Sequence, residues 1–399
     1  MTHILYISYD GMLEPLGQSQ VLAYLKRLAN GRRIHLISFE KADDWANVAE
    51  RVRLARDIAS AGIAWHPLRY HKTPSVLATA FDIMQGIIVG VWLCVRYKIK
   101  IIHARSYIPS VIALMLKKLF NVKYIFDMRG FWADERIDGG LWPKGGRIYR
   151  VAKWFEKRFL LSADSVVSLT NAAVDEMKKF DYLQGRLPNF KVITTCTDLN
   201  LFDFKKTNIN NSSKESFVLG YVGSVGVWYL FDETLNCFKL ILEKVPSAQL
   251  HIINRGGHQY IRERLIDKRI NPNKVMIETS DHAGVAKAMQ SMDVGIFFIK
   301  PVYSKMSSAP TKLGEFLGCG IPCLSNTKVG DMAVILNDEK VGVALDSFDE
   351  TSMKLGIEEL MTLLNDPEIR ERCRSTALKY FSLDIGVRSY NHIYNRLIS

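Results

Sequence analysis

Cysteine is scarce in this sequence, and the few cysteines present follow no pattern. Six occur among the 399 residues, and no two of them form a Cys-x-x-Cys pair or a regular spacing. A disulfide scaffold and a zinc knuckle are therefore not expected, and a reduced cytosol is the predicted compartment. The segment after Met1 also lacks the basic, apolar and small-residue regions of a secretory leader, so secretion is not expected.

Long uncharged apolar runs are missing as well. Between Val76 and Val95 the single charge is Asp82, and the uncharged stretch from Ile83 to Val95 covers 13 residues. A membrane-spanning helix needs about 20 apolar residues. This stretch therefore predicts a helix that is buried or that docks on a surface.

Acidic residues are too few to balance the basic ones, which number 53 Lys and Arg against 41 Asp and Glu. The imbalance lies almost wholly in the first half: residues 1–190 hold 28 basic and 17 acidic residues, whereas residues 191–399 hold 25 and 24. A basic half predicts an anionic partner, such as nucleic acid, a phosphorylated substrate or an acidic membrane surface. Solubility alone is the alternative explanation.

The composition is otherwise that of a globular protein, with 48% apolar and 24% charged residues. These proportions exclude disordered, collagen-like and coiled-coil chains. The length predicts two domains, because one hydrophobic core rarely serves more than about 250–300 residues. Within each half, short apolar runs alternate with helical patterns, which is typical of a parallel α/β sheet.

Two series of strands and helices are predicted, so the fold class is α/β with two domains in tandem. The predicted strands are 3–8, 34–38, 99–103, 123–127 and 165–169, then 217–222, 249–253, 275–278, 294–299 and 321–325. The predicted helices include 19–25 with Ser19 as its N-cap, 233–244, 284–292, 311–317 and a helical C-terminus from about Met353. The polar segment 205–216 is the predicted linker.

The segment from Ser307 to Pro322 carries the clearest chemistry. Ser308 is placed to cap a helix and Pro310 to occupy its first turn. The helix dipole, the first backbone N–H groups and Lys312 would form an anion site, and Glu315 would bind ribose hydroxyls beside it. An anion site next to a diol site describes a nucleoside diphosphate. An ordinary surface helix with a Lys and a Glu is the alternative.

This segment resembles the signature of the GT-B glycosyltransferases of the retaining family-4 type, which ends in a Glu-x-x-x-x-Gly-x-Pro run. Other stretches resemble the same family in the same order along almost the whole chain. They are Glu14–Gln20, Ile101–Ser106, Ala163–Thr170, Val192–Phe202, Gly220–Gly226 and Met292–Ile296. The collinear order carries the resemblance, since each motif alone is a weak signal.

The resemblance implies a GT-B fold, in which two Rossmann-like domains face each other across a cleft. The first domain, residues 1–187, would take the acceptor, and a C-terminal helix at about 381–399 would pack back on it. The second domain, residues 188–380, would take a nucleotide-sugar donor.

The same resemblance assigns donor-binding residues. Glu315 would hold the donor ribose, Gly17 and the start of the following helix would approach the diphosphate, and the loop from Gly223 to Gly226 would line the cleft. The predicted donor-binding residues are Gly17, Gln18, Gly223, Ser224, Gly226, Arg255, Lys305, Ser307, Ser308, Thr311, Lys312 and Glu315.

Two donor-site features of the family are missing. Ser307 stands where the first Glu of the family's Glu-x7-Glu pattern contacts the transferred sugar. Ser224 and the pair Trp228-Tyr229 occupy the loop in which the family carries an Arg and a Lys that neutralise the diphosphate. Another cation must therefore offset about two negative charges. The candidates are Lys305, Lys312, Lys300 and Arg255.

A third departure concerns the first domain, where Met128-Arg129-Gly130 replaces a His of the family. Arg129 would assist the leaving phosphate. A retaining reaction needs no enzymatic base, because the diphosphate itself takes the acceptor proton. An inverting reaction would use a carboxylate, with Asp127 as the first choice and Asp10 as the second. An ion pair of Asp127 with Arg129 or Arg136 is the alternative.

His103 is the third predicted catalytic residue, because it ends a strand at the edge where ligands collect in open α/β sheets. A hydrogen-bonded structural role is the alternative. The sequence has no Asp-x-Asp motif and its nine histidines are scattered, so neither a metal nor another cofactor is expected.

A helix predicted from Lys144 to Leu161 is both basic and aromatic. This combination fits a helix that lies on an anionic membrane, and a core-facing helix with a solvated basic side is the alternative. Its apolar stripe consists of Ile148, Val151, Phe155 and Phe159, and its flanking cations are Arg147, Arg150, Lys153 and Lys157.

These observations predict a glycosyltransferase of the hexosyl or N-acetylhexosaminyl class. It would act peripherally on the cytoplasmic face of the inner membrane, with a nucleotide-sugar donor and a glycan or polyprenyl-linked acceptor of a surface polysaccharide such as lipopolysaccharide or capsule. The alternatives are a nucleotide-sugar epimerase or a phosphorylase on the same fold, and a protein that binds nucleotide-sugar without turnover. No nucleic-acid partner is expected, because no RRM, KH, zinc-finger or helix-turn-helix signature is present.

Overall fold

The computed structural model describes residues 2–204 and 216–398. Contacts divide the chain into unit 1, Met1–Thr194 with Leu383–Ser399, and unit 2, Thr195–Ser382. The first boundary lies later than the predicted division between residues 187 and 188, because the strand Phe190–Val192 pairs with the sheet of unit 1. The predicted linker, except for Ser216, lies outside the described residues.

Unit 1 is built on a parallel sheet of seven strands in the order β3-β2-β1-β4-β5-β6-β7. Most of its strands are buried on both faces, which explains why the sequence shows nearly continuous apolar runs. The strands are β1 (Thr2–Ser8), β2 (Arg32–Glu40), β3 (Ile63–Arg69), β4 (Ile101–Arg105), β5 (Lys123–Asp127), β6 (Ser165–Ser168) and β7 (Phe190–Val192).

Helices connect these strands. They are α1 (Pro15–Gly17), α2 (Ala23–Leu28), α3 (Ala42–Ala46), α4 (Val48–Ser60), α5 (Ser75–Tyr97), α6 (Tyr107–Phe120), α7 (Trp132–Asp138), α8 (Arg147–Ser162) and α9 (Asn171–Lys178). A π-helical turn, Gln18–Leu22, joins α1 to α2.

The first helical segment begins earlier than the sequence predicted. Pro15 occupies its first position, which suits a residue without a backbone N–H. The predicted N-cap Ser19 is wrong, because it lies inside the segment and its Oγ donates to the carbonyl of Pro15 at 2.9 Å. The chain therefore turns into the helix immediately after the loop that follows β1.

One face of α5 packs firmly on unit 1. Asp82 is fully buried and accepts hydrogen bonds from the Tyr9 hydroxyl at 2.8 Å and from the backbone N–H of His71 at 3.1 Å. A Cβ on Gly86 or Gly90 would lie within 2.4 or 2.6 Å of side chains of α6, so these glycines allow the two helices to approach. Within the described part of the chain, α5 is the one helix whose length and composition suit a membrane crossing.

Three histidines from adjacent strands stack against the C-terminal end of α5. The ring centroids of His3 and His35 are 5.3 Å apart, and those of His35 and His66 are 5.6 Å apart. Tyr97 of α5 lies 4.3 Å from the ring of His35. Burial is the main cause that lowers the pKa of His35 to about 4, so the ring is neutral at physiological pH.

Unit 2 contains a parallel sheet of six strands in the order β10-β9-β8-β11-β12-β13. Its strands are β8 (Val218–Val222), β9 (Gln249–Ile253), β10 (Val275–Glu278), β11 (Val294–Ile296), β12 (Cys323–Asn326) and β13 (Gly342–Leu345). β11 ends before the predicted Ile299, because Ile299 instead forms an antiparallel bridge with Tyr229.

The helices of unit 2 cover both faces of this sheet. They are α10 (Phe231–Lys244), α11 (His258–Asp267), α12 (His282–Met289), α13 (Thr311–Gly318), α14 (Met332–Asp338), α15 (Glu350–Leu364) and α16 (Ile369–Tyr380). Two clusters of buried apolar side chains form the core of the unit.

The last helix, α17 (Leu383–Ile398), belongs to unit 1. Arg32 donates to Asn391 of this helix at 2.6 Å, and Arg27 pairs with Asp384. The rings of Tyr390 and Tyr24 meet edge to face at 5.8 Å. The two ends of the chain thus build one unit.

Candidate functional site

In unit 2 the candidate site lies where neighbouring strands send their connections in opposite directions. β8 and β11 are adjacent, and the sheet continues to β9 on one side and to β12 on the other. Open α/β sheets bind ligands at such a point, outside the carboxyl ends of the strands. The loop after β8 starts at Gly223, and the segment after β11 leads to Thr311, the first residue of α13.

Two glycines shape the loop after β8. Gly223 and Gly226 have φ angles of +124° and +95°, which L side chains rarely adopt. The Asn254 side-chain amide donates to the carbonyl of Gly223 at 2.8 Å, and the Tyr221 hydroxyl donates to the carbonyl of Ser224 at 2.7 Å. Neighbouring side chains therefore fix the predicted donor-binding residues of this loop in place.

Trp228 and Tyr229, further along the same loop, each make a cation–π contact with a lysine. Lys305 Nζ lies 3.8 Å from the ring centroid of Trp228, and Lys312 Nζ lies 3.8 Å from that of Tyr229. The bridge between Tyr229 and Ile299 holds the pair against the segment after β11. The two aromatic residues that stand in place of the expected Arg and Lys thus hold two cations.

Lys312 is deeply buried, with 6% of the residue exposed. Its Nζ has no hydrogen-bond partner among the described residues, and the rings of Tyr229, Phe297 and Tyr221 surround it. The same Nζ would lie 2.7 Å from a Cβ built on Gly223. Burial lowers the pKa of Lys312 to about 7. A buried ammonium without a partner is costly, so the Gly223 loop favours an anion as its ligand.

The start of α13 adds to this positive potential. Its N-cap is Pro310, whose side chain makes no capping hydrogen bond. The predicted cap Ser308 is wrong, and Pro310 lies one position before the first turn. The segment approaches α13 in an extended conformation, and Thr195 Oγ1 donates to the carbonyl of Ala309 at 2.7 Å. The positive end of the α13 dipole therefore lies next to Lys312.

Glu315 lies one turn into α13, with 14% of its side chain exposed. His282 Nε2 lies 3.7 Å from Glu315 Oε1, and the nearby carboxylate of Glu315 raises the pKa of His282. Sequence reasoning missed His282, because it begins a different helix and no motif surrounds it. Glu315, which is predicted to bind the donor ribose, therefore lies beside a titratable histidine.

The remaining predicted residues of unit 2 differ in exposure. Ser307 is 2% exposed, and its Oγ donates to the carbonyl of Ser304 at 2.7 Å inside the turn Tyr303–Ser307. Lys305, in the same turn, is also buried, whereas the side chains of Arg255 and Lys300 are exposed. Of the four predicted counter-charges, the structure thus brings Lys305 and Lys312 to the loop after β8.

In unit 1 the structure brings the three predicted catalytic residues together beneath α17. Asp127 Oδ2 lies 3.4 Å from His103 Nε2, and Asp127 Oδ1 lies 3.9 Å from Arg129 Nη1. Tyr390 of α17 donates to Asp127 Oδ2 at 2.9 Å. The hydroxyl of Tyr394, from the same helix, lies 2.7 Å from His103 Nδ1.

This cluster is enclosed, because Asp127 and His103 are each 1% exposed. Burial would raise the pKa of Asp127, but the charge of Arg129 and the contact with His103 outweigh it and lower the pKa to about 2. Burial lowers the pKa of His103. An ionised, enclosed carboxylate beside Arg129 favours the structural ion pair, and the catalytic roles of the three residues stay predictions.

The loop after β1 carries the predicted donor-binding residues of unit 1. A Cβ on Gly17 would lie 2.0 Å from the carbonyl oxygen of Gly11, so only glycine lets α1 approach this loop. Gln18 Nε2 donates to a carbonyl of the same loop at 3.5 Å. Asp10, the second choice of base, pairs with Arg105 at 3.2 Å. Donor binding by Gly17 and Gln18 stays a prediction.

Metal ligands and disulfides do not shape either site in the described part of the chain. No group of three or more His, Cys, Asp or Glu is placed there to hold a metal ion. All six cysteines are buried, and none of them forms a disulfide within the described residues.

Two family models match the sequence. The glycosyl transferase 4-like domain matches residues 20–186, and the glycosyl transferases group 1 model matches residues 203–380. Together they account for most of unit 1 and of unit 2. No curated protein sequence matches the chain.

Solved glycosyltransferase structures share the fold over the whole chain. A glycosyltransferase from Rickettsia africae superposes with a TM-score of 0.73 at 14% identity, covering 100% of this chain and 99% of its own. Anabaena Alr3699/HepE in complex with UDP-glucose gives 0.65 at 14% identity, with coverages of 99% and 100%. The lipopolysaccharide outer core galactosyltransferase WaaB gives 0.64 at 11% identity, also with 99% and 100%.

Proposed function

Because the chain belongs to the group 1 glycosyltransferases, we propose that it moves a hexosyl or N-acetylhexosaminyl group from a nucleotide-sugar to a glycan or lipid-linked acceptor of a surface polysaccharide. Its two α/β units are the Rossmann-like domains of the GT-B fold. The observation that carries the proposal is the buried Lys312 ammonium at the Gly223 loop. The UDP-glucose bound by HepE and the activity named for WaaB support the donor class and the pathway.

The donor diphosphate binds against Lys312 and the first turn of α13, and its ribose binds Glu315. A diphosphate brings about two negative charges, which the ammonium and the helix dipole offset at short range. Lys305 lies on the neighbouring ring of Trp228 and supplies a second positive charge. The missing Arg and Lys of the loop after β8 are thereby replaced from the segment after β11.

The chemistry needs a cationic pocket more than a base. The bond between the anomeric carbon and the diphosphate oxygen breaks through an oxocarbenium-like state, and the charge that develops on the departing diphosphate is stabilised by Lys312. The acceptor hydroxyl oxygen forms the new bond and gives its proton to the departing phosphate oxygen. The reaction proceeds with retention and needs no metal ion or other cofactor.

The basic unit 1 takes the acceptor and associates with the cytoplasmic face of the inner membrane. The residues of the apolar stripe predicted on α8 differ in exposure. Phe159 is buried, whereas Ile148 and Val151 are 49% and 55% exposed. Both lie on the same helix as Arg147 and Arg150, so α8 offers apolar and basic groups together to an anionic surface.

The first experiment is a thermal-shift screen of nucleotides and nucleotide-sugars in the presence of EDTA. A ligand that binds only the folded state raises the melting temperature. We expect one nucleoside diphosphate series to raise it, and Glu315→Ala and Lys312→Met to abolish the shift. Lys300→Met is the matched control, because its side chain is exposed and should leave the shift unchanged.

Turnover with the bound donor and a lipid-linked acceptor then separates the candidate functions. Donor consumption that needs the acceptor, with retention at the anomeric carbon by NMR, supports the proposal. Conversion of the donor without acceptor would indicate an epimerase. Binding without turnover would indicate a nucleotide-sugar-binding protein, and a shift that survives Glu315→Ala and Lys312→Met would overturn the donor site.

A further inference from the structure

α5 exposes an apolar stripe along its length. Large apolar side chains recur there at spacings of three and four residues, so they lie on one face of the helix. These residues, which we call the α5 stripe, are Leu77 (70% exposed), Phe81 (42%), Met84 (49%), Ile88 (61%), Trp92 (53%) and Val95 (65%). Contiguous apolar surface of this kind marks an interaction site.

The opposite face of α5 is committed to unit 1. Asp82 is bonded inside the unit, and Gly86 and Gly90 bring α5 against α6. Leu119 of α6, the helix on which α5 packs, is 60% exposed. To cross a membrane, α5 would have to give up these contacts and carry the charge of Asp82 into lipid. Lying along a surface costs none of them.

Positive charge frames the α5 stripe. From residue 58 to residue 126 the sequence holds nine Lys and Arg and one acidic residue, Asp82, which is buried. Lys72 precedes α5, and Arg96, Lys98 and Lys100 lie at or beyond its last turn with exposed side chains. An apolar stripe with basic ends complements acyl chains under anionic headgroups. A second copy of the same face would meet it with like charge.

We propose that the α5 stripe docks unit 1 on an anionic phospholipid membrane, with α5 parallel to the membrane plane. The stripe extends about 27 Å from Leu77 to Val95 at 1.5 Å per residue. It enters the boundary between headgroups and acyl chains, while Lys98 and Lys100 contact lipid phosphates. This inference rests on the proposed function for the lipid-linked acceptor, and it assigns the main apolar contact to α5.

The test is sedimentation with phosphatidylglycerol–phosphatidylcholine vesicles and with phosphatidylcholine vesicles alone. Wild type should bind the anionic vesicles, and the double variant Leu77→Glu, Ile88→Glu should lose about tenfold or more in partitioning. The matched control is Ile266→Glu with Leu355→Glu, since these two side chains of unit 2 are 71% and 61% exposed. This control should bind like wild type.

Nucleotide thermal shifts on the same proteins keep the two proposals separate. Loss of vesicle binding with an intact nucleotide shift supports docking through α5. Equal vesicle binding by the stripe and control variants overturns it, and so does a lipid-free dimer that the stripe variant dissociates, which would make a second copy the occupant. If wild type shows no nucleotide shift, the proposed function fails while the vesicle result still decides the docking surface.

Discussion

Lys312 shows how one residue can supply a charge that its neighbouring loop lacks. The expected Arg and Lys belong to the loop after β8, but Lys312 extends from α13 and places its Nζ next to Gly223. Tyr229 and two other rings enclose the ammonium. The interaction of a cation with ring faces explains how the charge is kept in the absence of a carboxylate partner among the described residues.

The titration of Lys312 predicts a pH dependence of donor binding. Its pKa of about 7 means that the ammonium is present below pH 7 and is lost as the pH rises above it. We expect the nucleotide Kd to increase by up to about tenfold per pH unit above pH 7. Calorimetry in two buffers of different ionisation enthalpy should show proton uptake on binding at pH 7. Lys312→Met should bind weakly, with neither proton uptake nor this pH dependence.

Gly223 and Gly226 form a matched pair for testing the contact with Lys312. Alanine at either position meets the cost of a positive φ, about 1 kcal/mol of stability. At Gly226 a Cβ meets nothing within 4 Å, whereas at Gly223 it meets Lys312 Nζ. Both variants should lower the melting temperature, but Gly223→Ala should weaken nucleotide binding by about tenfold (1.4 kcal/mol) more than Gly226→Ala does. Equal affinity in the two variants would show that the Gly223 contact does not matter.

For single residues, the sequence predicts which residues belong to the candidate site better than it predicts which side chains contact them. Lys312 and Glu315 are found because a helix start with a Lys and a Glu is a local pattern. Their neighbours Tyr229 and His282 come from distant segments, so no spacing reveals the ring contact or the 3.7 Å approach. Ser308 was predicted as a cap from residue type alone, although an extended backbone separates it from the first turn.

Among the elements, the stack of His3, His35 and His66 predicts acid sensitivity of unit 1. The pKa of His35 is lowered from 6.5 to about 4, so the unfolded chain binds the proton more readily between those pH values. The free energy of unfolding of unit 1 therefore has its highest value above pH 6.5. It falls as the pH drops, by about 2 kcal/mol at pH 5. Urea unfolding at pH 7.5 and pH 5 measures this difference.

Two phenylalanine variants provide the control for this prediction. His35→Phe keeps an aromatic ring in the stack but takes up no proton, so most of the loss between pH 7.5 and pH 5 should disappear. His392→Phe, at an exposed position of α17, should retain the full loss. A loss of equal size in both variants would place the acid sensitivity elsewhere.

The elements that the sequence predicts best are the buried strands. β5, β9 and β10 have the predicted bounds, because a short apolar run between turn residues leaves little choice of where the strand begins and ends. The predicted β11 is too long, since its last residues leave the sheet to pair with Tyr229. For α5 the sequence left a buried helix and a surface-docking helix as alternatives, because a sequence pattern shows that a helix is apolar but not which side its neighbours cover.

For the whole molecule, the α/β class and two-domain organisation follow from the alternation of strands and helices along 399 residues. The GT-B resemblance came from collinear motifs. The exact division did not follow, because β7 is a three-residue strand whose membership of unit 1 depends on pairing with β6. Chain length and periodicity carry no information about such a pairing.

The contribution of α17 to unit 1 predicts the effect of shortening the chain. A protein that ends at Ser382 loses the Tyr390 and Tyr394 hydroxyls, which leaves Asp127 and His103 without these buried partners. Asp127 keeps its contacts with Arg129 and His103, but each buried hydrogen bond that is lost costs about 1–3 kcal/mol. We expect limited proteolysis to degrade residues 1–194 of the shortened protein while unit 2 stays resistant. Equal resistance of both units would show that α17 contributes little.

The return of α17 also has a consequence for synthesis on the ribosome. Unit 2 is complete once Ser382 has emerged, whereas unit 1 still lacks the helix that covers Asp127 and His103. Domains usually fold in the order of their synthesis. Here the unit whose synthesis begins first completes its fold last. The sheet of unit 1 therefore keeps a basic and apolar surface exposed until α17 has been translated.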